Sequence, residues 1–175
     1  MGYCEVPLGK KTLKAIIDDS DYELVSKYKW QAGRKKTPHS TNKIYDYVIG
    51  RVNGKLTSLH KFIMNTPKGM YVDHANGNGL DNRRSNLRVC TQSQNIANQA
   101  PRGTYKGVTI HKDKRCDGSL KPKRKIYQAR IKVNYKYYSL GYFYTPEEAA
   151  KAYDKAAIKH FGEFANLNFK EKEKV

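Results

Sequence analysis

The chain has 175 residues, enough for one ordinary domain or two small ones, each with a modest core. Its 34 Lys and Arg outweigh 16 acidic residues to give a formal charge of +18, which points to a polyanionic partner and to nucleic acid first. An anionic membrane is the other polyanion, but no long apolar run, N-terminal apolar signal or lipidation motif is present, so a soluble intracellular protein is expected.

The three cysteines, Cys4, Cys90 and Cys116, are widely spaced and never form a C-x-x-C pair, which predicts free thiols. Charge is uneven. Residues 1–100 hold 16 basic and 8 acidic side chains, residues 102–136 hold 12 and 2, and residues 137–175 hold six of each. A boundary near Ala100 and a folded C-terminal module with one charged face account for that distribution.

In chain order, "TLKAIIDD" is strand-like and "SDYELVSKY" opens a short helix with a Ser or Asp cap. "IYDYVIGRVNGKLTSLH" holds two strand-like runs joined by Asn53-Gly54, a strong hairpin signal. His60 opens "HKFIM", a short helix expected to turn Phe62, Ile63 and Met64 inward; a structural or DNA-adjacent role suits His60 better than a catalytic one.

"MYVDH" reads as a strand feeding the loop "ANGNGLDNRRSN", "LRVC" as a second strand, and "TQSQ" as a capping box with Thr91 at the N-cap and Gln94 at the third helical position. The helix it starts carries Asn95 and Asn98 three residues apart, on one face. An Asp-His pair in a Gly-Asn loop is ordinarily a solvated turn. The same residues also meet the needs of phosphodiester hydrolysis: a base, a cation and a group that orients the base. His74 is the candidate base, since an imidazole of pKa about 6.5 is mostly neutral at slightly alkaline pH. Asp73 and Asn95 offer a carboxylate and an amide oxygen, hard ligands for Mg²⁺ or another divalent cation such as Mn²⁺. Asn86, at the end of the loop, can accept from the imidazole N–H and hold its tautomer.

Residues 72–99 closely resemble the HNH family of ββα-metal nucleases, in particular phage and intron homing endonucleases: a strand ending in Asp-His, then Asn-Leu-Arg, then Thr-Gln-x-x-Asn on a helix. Asp73, His74, Asn86, Leu87, Arg88, Thr91, Gln92 and Asn95 stand in the matching positions, and "LHKFIM" is similar to the segment that precedes the motif. The resemblance implies a single-metal DNA endonuclease in the cytoplasm of a bacterial or phage-infected cell, with Asp73 and Asn95 as ligands and His74 activating water. It also implies that Arg83, Arg84 and Arg88 lie near phosphate, and makes His60 and Asn98 possible supporting residues. The third family letter is here Asn95 rather than His, as in a known subgroup.

From Tyr105 the chain reads as three strands and a helix. "YKGVTIHKD", "KIYQARIKVN" and "KYYSLGYF" each alternate; Thr145, Pro146 and Glu148 make an N-cap, a first-turn Pro and a capping-box Glu for a helix that runs to about Phe161 and ends at Gly162. Its stripe is Ala149, Ala152, Tyr153, Ala156 and Ala157. Tyr127, Ala129, Ile131 and Val133 fall on one face of the middle strand, and Gln128, Arg130 and Lys132 on the other. In the first strand Val108 and Ile110 should point inward, with Thr109 and His111 outward. The outer face is either a solvated surface or one that enters the major groove.

"YKGV", "YQARI", "SLGYF" and "TPEEAAKAYDKAAIKHFGEFANLNF" resemble the plant ethylene-response-factor (Apetala-two) DNA-binding domain, which binds DNA through its three-stranded sheet. That resemblance puts sheet-face positions at Lys106, Thr109, His111, Arg130, Lys132, Tyr137 and Ser139, where plant members more often carry Arg or Trp, so their target sequence does not transfer.

The expected fold class is α+β: residues 1–100 as a β-rich scaffold with an HNH nuclease core (motif 60–99), 101–104 as a linker, 105–169 as an Apetala-two-like domain, and 170–175 as a charged tail. The expected function is site-directed cleavage of double-stranded DNA. With no dimer seam visible, a monomer is slightly favoured. A non-catalytic DNA-binding regulator with a degenerate nuclease core is the alternative, and RNA or ribosome binding fits the charge but not the sheet.

Overall fold

Alternating apolar residues near the N-terminus make an antiparallel hairpin of β1 (Tyr3–Pro7) and β2 (Lys14–Asp18), with Val6, Ala15 and Ile17 turned inward. The structure, a computed structural model, describes residues 2–9, 13–34, 46–101, 103–111 and 126–169. Cys116 and the charged tail 170–175 lie outside the described residues. Cys4 and Cys90 are free thiols.

The helix expected after β2 is short, a 3-10 turn (Asp19–Asp21) running into α1 (Tyr22–Val25). Asp21 stands at its N-cap without capping it, because its buried carboxylate is taken by Arg84. Strands β3 (Trp30–Arg34), β4 (Asp46–Val52) and β5 (Lys55–Ser58) form an antiparallel sheet in that order. Asn53 and Gly54, at φ 49° and 79°, make the expected two-residue turn. Buried Trp30 donates its indole N–H to the Val25 carbonyl at 2.9 Å, fixing α1 to β3. Helix α2 (Leu59–Ile63) buries Leu59 and Ile63, and Phe62 and Met64 pack on the same core, as "HKFIM" suggested.

Strands β6 (Tyr71–His74) and β7 (Leu87–Cys90) pair antiparallel, and helix α3 (Gln92–Asn98) begins directly after Thr91, the expected N-cap. The last elements are β8 (Val108–His111), β9 (Ile126–Val133), β10 (Lys136–Phe143) and α4 (Pro146–Phe161), the strands forming one antiparallel sheet with β9 central. The Thr145/Glu148 capping box is present, and α4 ends at Gly162. Ala149, Tyr153 and Ala157 of the expected stripe are buried, joined by Ala150, Asp154 and Phe161. Ala129 and Ile131 of β9 are buried while Arg130 and Lys132 are exposed, as the alternation requires.

Ile110 departs from the expectation. It is 57% exposed rather than inward: among the described residues β8 is an edge strand, and Ile110 sits near its end with β9 on one side.

The α+β chain divides into two compact units, Met1–Gln92 and Ser93–Val175. The division falls ahead of the boundary expected near Ala100, since Ala97 of α3 is buried in one cluster with Ile131, Tyr153, Ala157 and Phe161. The first unit has its own core around Val6, Leu8, Ile17, Val25, Trp30, Val48, Leu59, Val72 and Leu87.

Ile131 is the largest buried aliphatic side chain of the second core. Its replacement by Ala should cost the second unit about 2–5 kcal/mol through the missing methylenes and the cavity left behind. Denaturant melts followed by circular dichroism measure this; an unchanged midpoint would mean that β9 does not present this face to α4.

Candidate active site

The loop between β6 and β7 is almost entirely polar, and its asparagines act mainly as turn chemistry. Asn76 Oδ1 accepts from Asn78 N at 2.8 Å and Asn78 Oδ1 from Leu80 N at 3.1 Å, two successive Asx turns. Asn86 Oδ1 accepts from Asn76 N at 3.0 Å and its Nδ2 donates to the Asp81 carbonyl at 2.7 Å, so this amide ties the two ends of the loop together. Backbone bonds on either side of Ile16, from Ile16 N to Leu80 O and from Asn82 N to Ile16 O, dock the loop on β2.

His74 ends β6 and is buried. The amide within reach of its Nε2 is that of Asn82, whose Oδ1 lies 3.4 Å away and whose side chain is fully buried. Asn82 is thus a polar neighbour of the ring that the sequence reading did not single out, while the expected Asn86 bonds Asn76 N and the Asp81 carbonyl. Burial lowers the pKa of His74, against smaller opposing effects of the Asn82 bond and of Asp73 and Asp81, so the imidazole is neutral at pH 7.

His60 meets the His74 ring edge-on, at a centroid distance of 5.0 Å. It is itself buried, and its Nδ1 has no hydrogen-bond partner among the described residues. Burial, with the neighbouring His74 and Lys61, brings its pKa down to about 3. Cys90, at the end of β7, is a buried thiol pushed up to about 11 by desolvation, so it is not a nucleophile at neutral pH.

Asp73 lies directly opposite Arg88 across the β6–β7 pair, and Arg88 Nη2 donates to its Oδ2 at 2.6 Å. Arg83 is bidentate to Asp81 at 2.8 and 2.7 Å, and Arg84 is bidentate to Asp21 at 2.9 and 2.7 Å with a further bond to the Ile63 carbonyl. The three arginines expected near phosphate are each committed to a carboxylate of this chain. A carboxylate has about four acceptor positions, so the Arg88 bond does not bar Asp73 from a cation. Among the described residues there is no cluster of three or more His, Cys, Asp or Glu that could hold a metal. One carboxylate with one amide suits a hard cation that keeps water and phosphate oxygens as its other ligands.

Asn95 and Asn98 are half-buried residues of α3, in the second unit. In that unit Thr109 pairs with Gln128, and Tyr137 with Lys132, across the outer face of the sheet. Arg130 and Lys132 both lie over the Tyr137 ring at 5.2 Å. Gln128 Nε2 reaches Ser139 Oγ at 3.3 Å and Tyr142 Oη at 3.4 Å. Tyr142 was not expected on this face. A bulge between Ser139 and Gly141 reverses the alternation of β10 and brings it there, and the in-strand Gly141, at φ 124°, is the signal that marks such a bulge. The backbone of His111 ends β8, and its side chain lies outside what is described. Lys106 is turned elsewhere: its ammonium donates to carbonyls at the end of α3.

A strand ending in Asp-His, a polar loop, a return strand carrying Arg and a helix beginning after one more residue follow one another in the order of a ββα nuclease motif. A family model described as HNH endonuclease matches residues 65–97. The chain is 32% identical over 166 residues to an uncharacterized HNH endonuclease, L560, of Acanthamoeba polyphaga mimivirus, covering 91% of this chain and 76% of that one. It is also 32% identical over 94 residues to the DNA endonuclease I-HmuI of Bacillus phage SP01, and 29% identical over 98 residues to a putative HNH homing endonuclease, YosQ, derived from the SPbeta prophage of Bacillus subtilis. These alignments cover 54% and 56% of this chain but only 45% and 48% of the two relatives. No solved structure matches. The chain belongs to the HNH endonuclease family.

The His60 shift has a definite sign. The unfolded imidazole titrates near 6.5 and the folded one near 3, so between these values the unfolded chain binds more protons. Stability is therefore full above about pH 6.5 and falls as the pH drops toward 3, by up to about 1.4 kcal/mol per pH unit. Urea unfolding of the wild type and of His60→Phe at pH 7 and pH 5 should show the smaller loss in the variant. Equal losses would mean that His60 protonates in the folded protein as readily as in the unfolded one.

Proposed function

We propose that the chain is a divalent-metal-dependent DNA endonuclease of the homing type, in which His74 is the general base and the C-terminal sheet holds duplex DNA. The observation that carries the reading is the buried His74 beside Asp73 at the end of β6, in a member of the HNH endonuclease family. With Asn82 Oδ1 as acceptor, the ring proton sits on Nε2 and the basic lone pair on Nδ1. His74 then takes the proton of the attacking water, and burial keeps the ring in the form able to accept it. Asp73 and Asn95 are the ligands for one cation, Mg²⁺ or another divalent ion such as Mn²⁺. When bound, such an ion would neutralise developing charge on phosphate and on the leaving oxygen.

The C-terminal module serves as an Apetala-two-like domain, whose outer sheet face contacts DNA through Thr109, Gln128, Arg130, Lys132, Tyr137, Ser139 and Tyr142. Supporting this are the exposed cations of β9, their contacts with Tyr137 and the exposure of Tyr137 and Tyr142 at 63% and 57%. His111 belongs to the same strand set by resemblance. DNA as substrate also agrees with the name of the phage SP01 relative, a DNA endonuclease. Among the described residues no helix is long and apolar enough to cross a membrane.

His74→Ala should lower cleavage of supercoiled plasmid by about two to four orders of magnitude. Its affinity for duplex DNA, measured without divalent cation, should stay close to wild type, and near-normal cutting would remove His74 from the chemistry.

Arg130→Ala combined with Lys132→Ala tests the sheet. Both side chains are exposed, so the melting temperature should hardly move. The log–log dependence of binding on salt should flatten by about 0.9 for each phosphate that the variant no longer neutralises. An unchanged slope would show that this face does not meet DNA.

A further inference from the structure

The last four carbonyls of a helix have no partner inside it and must find one elsewhere. At the end of α3 the carbonyls of Ile96, which also accepts from Gln99 N at 3.2 Å, of Ala97 and of Asn98, together with that of Gln99 just past the helix, each receive a donor from the C-terminal module. Lys106 Nζ donates to Ile96 O at 3.3 Å, to Ala97 O, and to Gln99 O at 2.5 Å. Asn166 donates from its backbone N to Ala97 O at 3.1 Å and from Nδ2 to Asn98 O at 3.0 Å. An ammonium has three N–H donors, and here three carbonyls surround it. A cation at a helix C-terminus also meets the negative end of the helix dipole.

The lysine is held as firmly as it holds. Asn168 Oδ1 accepts from Lys106 N at 2.6 Å, and Asn168 Nδ2 donates back to Lys106 O at 3.1 Å. Asn168 is in turn fixed by Asp154, a buried carboxylate on α4 that accepts from Asn168 N, Asn168 Nδ2 and Phe169 N, each at 2.9 Å. On the other side Gly107, at φ 75°, lies so close to the Tyr153 ring that a Cβ would fall 1.9 Å from it. A chain of bonds thus runs from α4 through Asp154, Asn168 and Lys106 to the end of α3.

We propose that Lys106, with Asn166, is a positioning residue of the nuclease: it closes the C-terminal end of α3 and so sets, from the C-terminal module, the helix on which Asn95 rides. The inference rests on the reading of Asn95 as a cation ligand. It gives the module a part in cation binding beyond its affinity for DNA.

The test uses the full chain. Lys106→Met keeps the alkyl stem and the backbone bonds to Asn168 while removing the ammonium. In metal-free protein, hydrogen exchange at the amides of residues 92–98 should quicken by about tenfold, a loss of about 1.4 kcal/mol in local stability. Removal of a group that supports a ligand commonly costs about 10- to 100-fold in metal affinity, and Mn²⁺ titration followed by electron paramagnetic resonance should show a weakening of that order. In cleavage assays the half-saturating cation concentration should rise with it, while the KM for DNA stays near wild type. Lys106→Arg, which restores a cation with donors, should recover much of both effects. Wild-type exchange and wild-type Mn²⁺ affinity in Lys106→Met would overturn the proposal. If Lys106→Met fails to fold, Asn166→Leu, which removes only the bond to Asn98 O, takes its place under the same criteria. Asn95→Ala separates the two readings: if it leaves Mn²⁺ affinity unchanged, the ligand assignment fails, and Lys106 is then judged on exchange and on kcat against KM alone.

Discussion

The bond between Arg84 and Asp21 sets the frame for the loop between β6 and β7. Residues 75–83 hold three asparagines and two glycines against Ala75 and Leu80 as apolar side chains, and ordering each residue costs about 1–2 kcal/mol of backbone entropy. The loop has little core to offset that cost, so polar anchors must do so. Arg84 reaches Asp21 with two parallel bonds and Ile63 O with a third, while its backbone N donates to Asp18. One residue thereby joins the end of β2, the turn before α1 and the end of α2. With the Ile16 bridge, these bonds hold the segment that follows His74. The local geometry of the imidazole, and of Asn82 beside it, depends on that anchoring.

The same arrangement sorts the positive charge of the chain. Around His74, Arg83, Arg84 and Arg88 are each matched by a carboxylate, so these arginines add little net charge at the end of β6. Asn82 meets the ring with a neutral amide rather than a charged group. On the sheet of the second unit, by contrast, Arg130 and Lys132 lie over a tyrosine face and have no ion pair among the described residues. Cation–π contact holds a cation in place and leaves its charge available to a polyanion.

Much of this was legible in the sequence, for reasons that are local. Asn53-Gly54 requires positive φ at both positions and so declares its turn; Thr145, Pro146 and Glu148 satisfy the first turn of α4 with their own side chains; Ala129 and Ile131 alternate with Arg130 and Lys132 because a strand has period two. The elements of the Asp73–His74 motif were equally visible. What stayed hidden depends on partners distant in sequence. Nothing near Arg84 announces Asp21, 63 residues away, and nothing in "GLDNRRSN" says which asparagine meets the ring. Asn86 was the natural choice from its place beside β7, yet its amide closes the loop and Asn82 lies next to His74. Tyr142 was missed because one bulge reverses the parity of a strand, and Ile110 because period two does not reveal where a covering layer ends.

Helix α3 shows how a motif that is continuous in sequence can be discontinuous in its support. It has seven residues, and isolated helices shorter than about 12–15 residues are marginal in water. Its own sequence supplies polar side chains at most positions and one fully buried apolar residue, Ala97. Such a helix must take its stability from what surrounds it: here the cluster of Ile131, Tyr153, Ala157 and Phe161, and the donors of Lys106 and Asn166 at its end. The compact unit to which α3 belongs is accordingly the one built on α4, although the sequence pattern that defines it begins with Asp73. A boundary drawn where composition changes, near Ala100, falls between the helix and the residues that hold it. Where a short helix bears a functional residue, the domain is better bounded by the partners of its terminal carbonyls than by the extent of the motif.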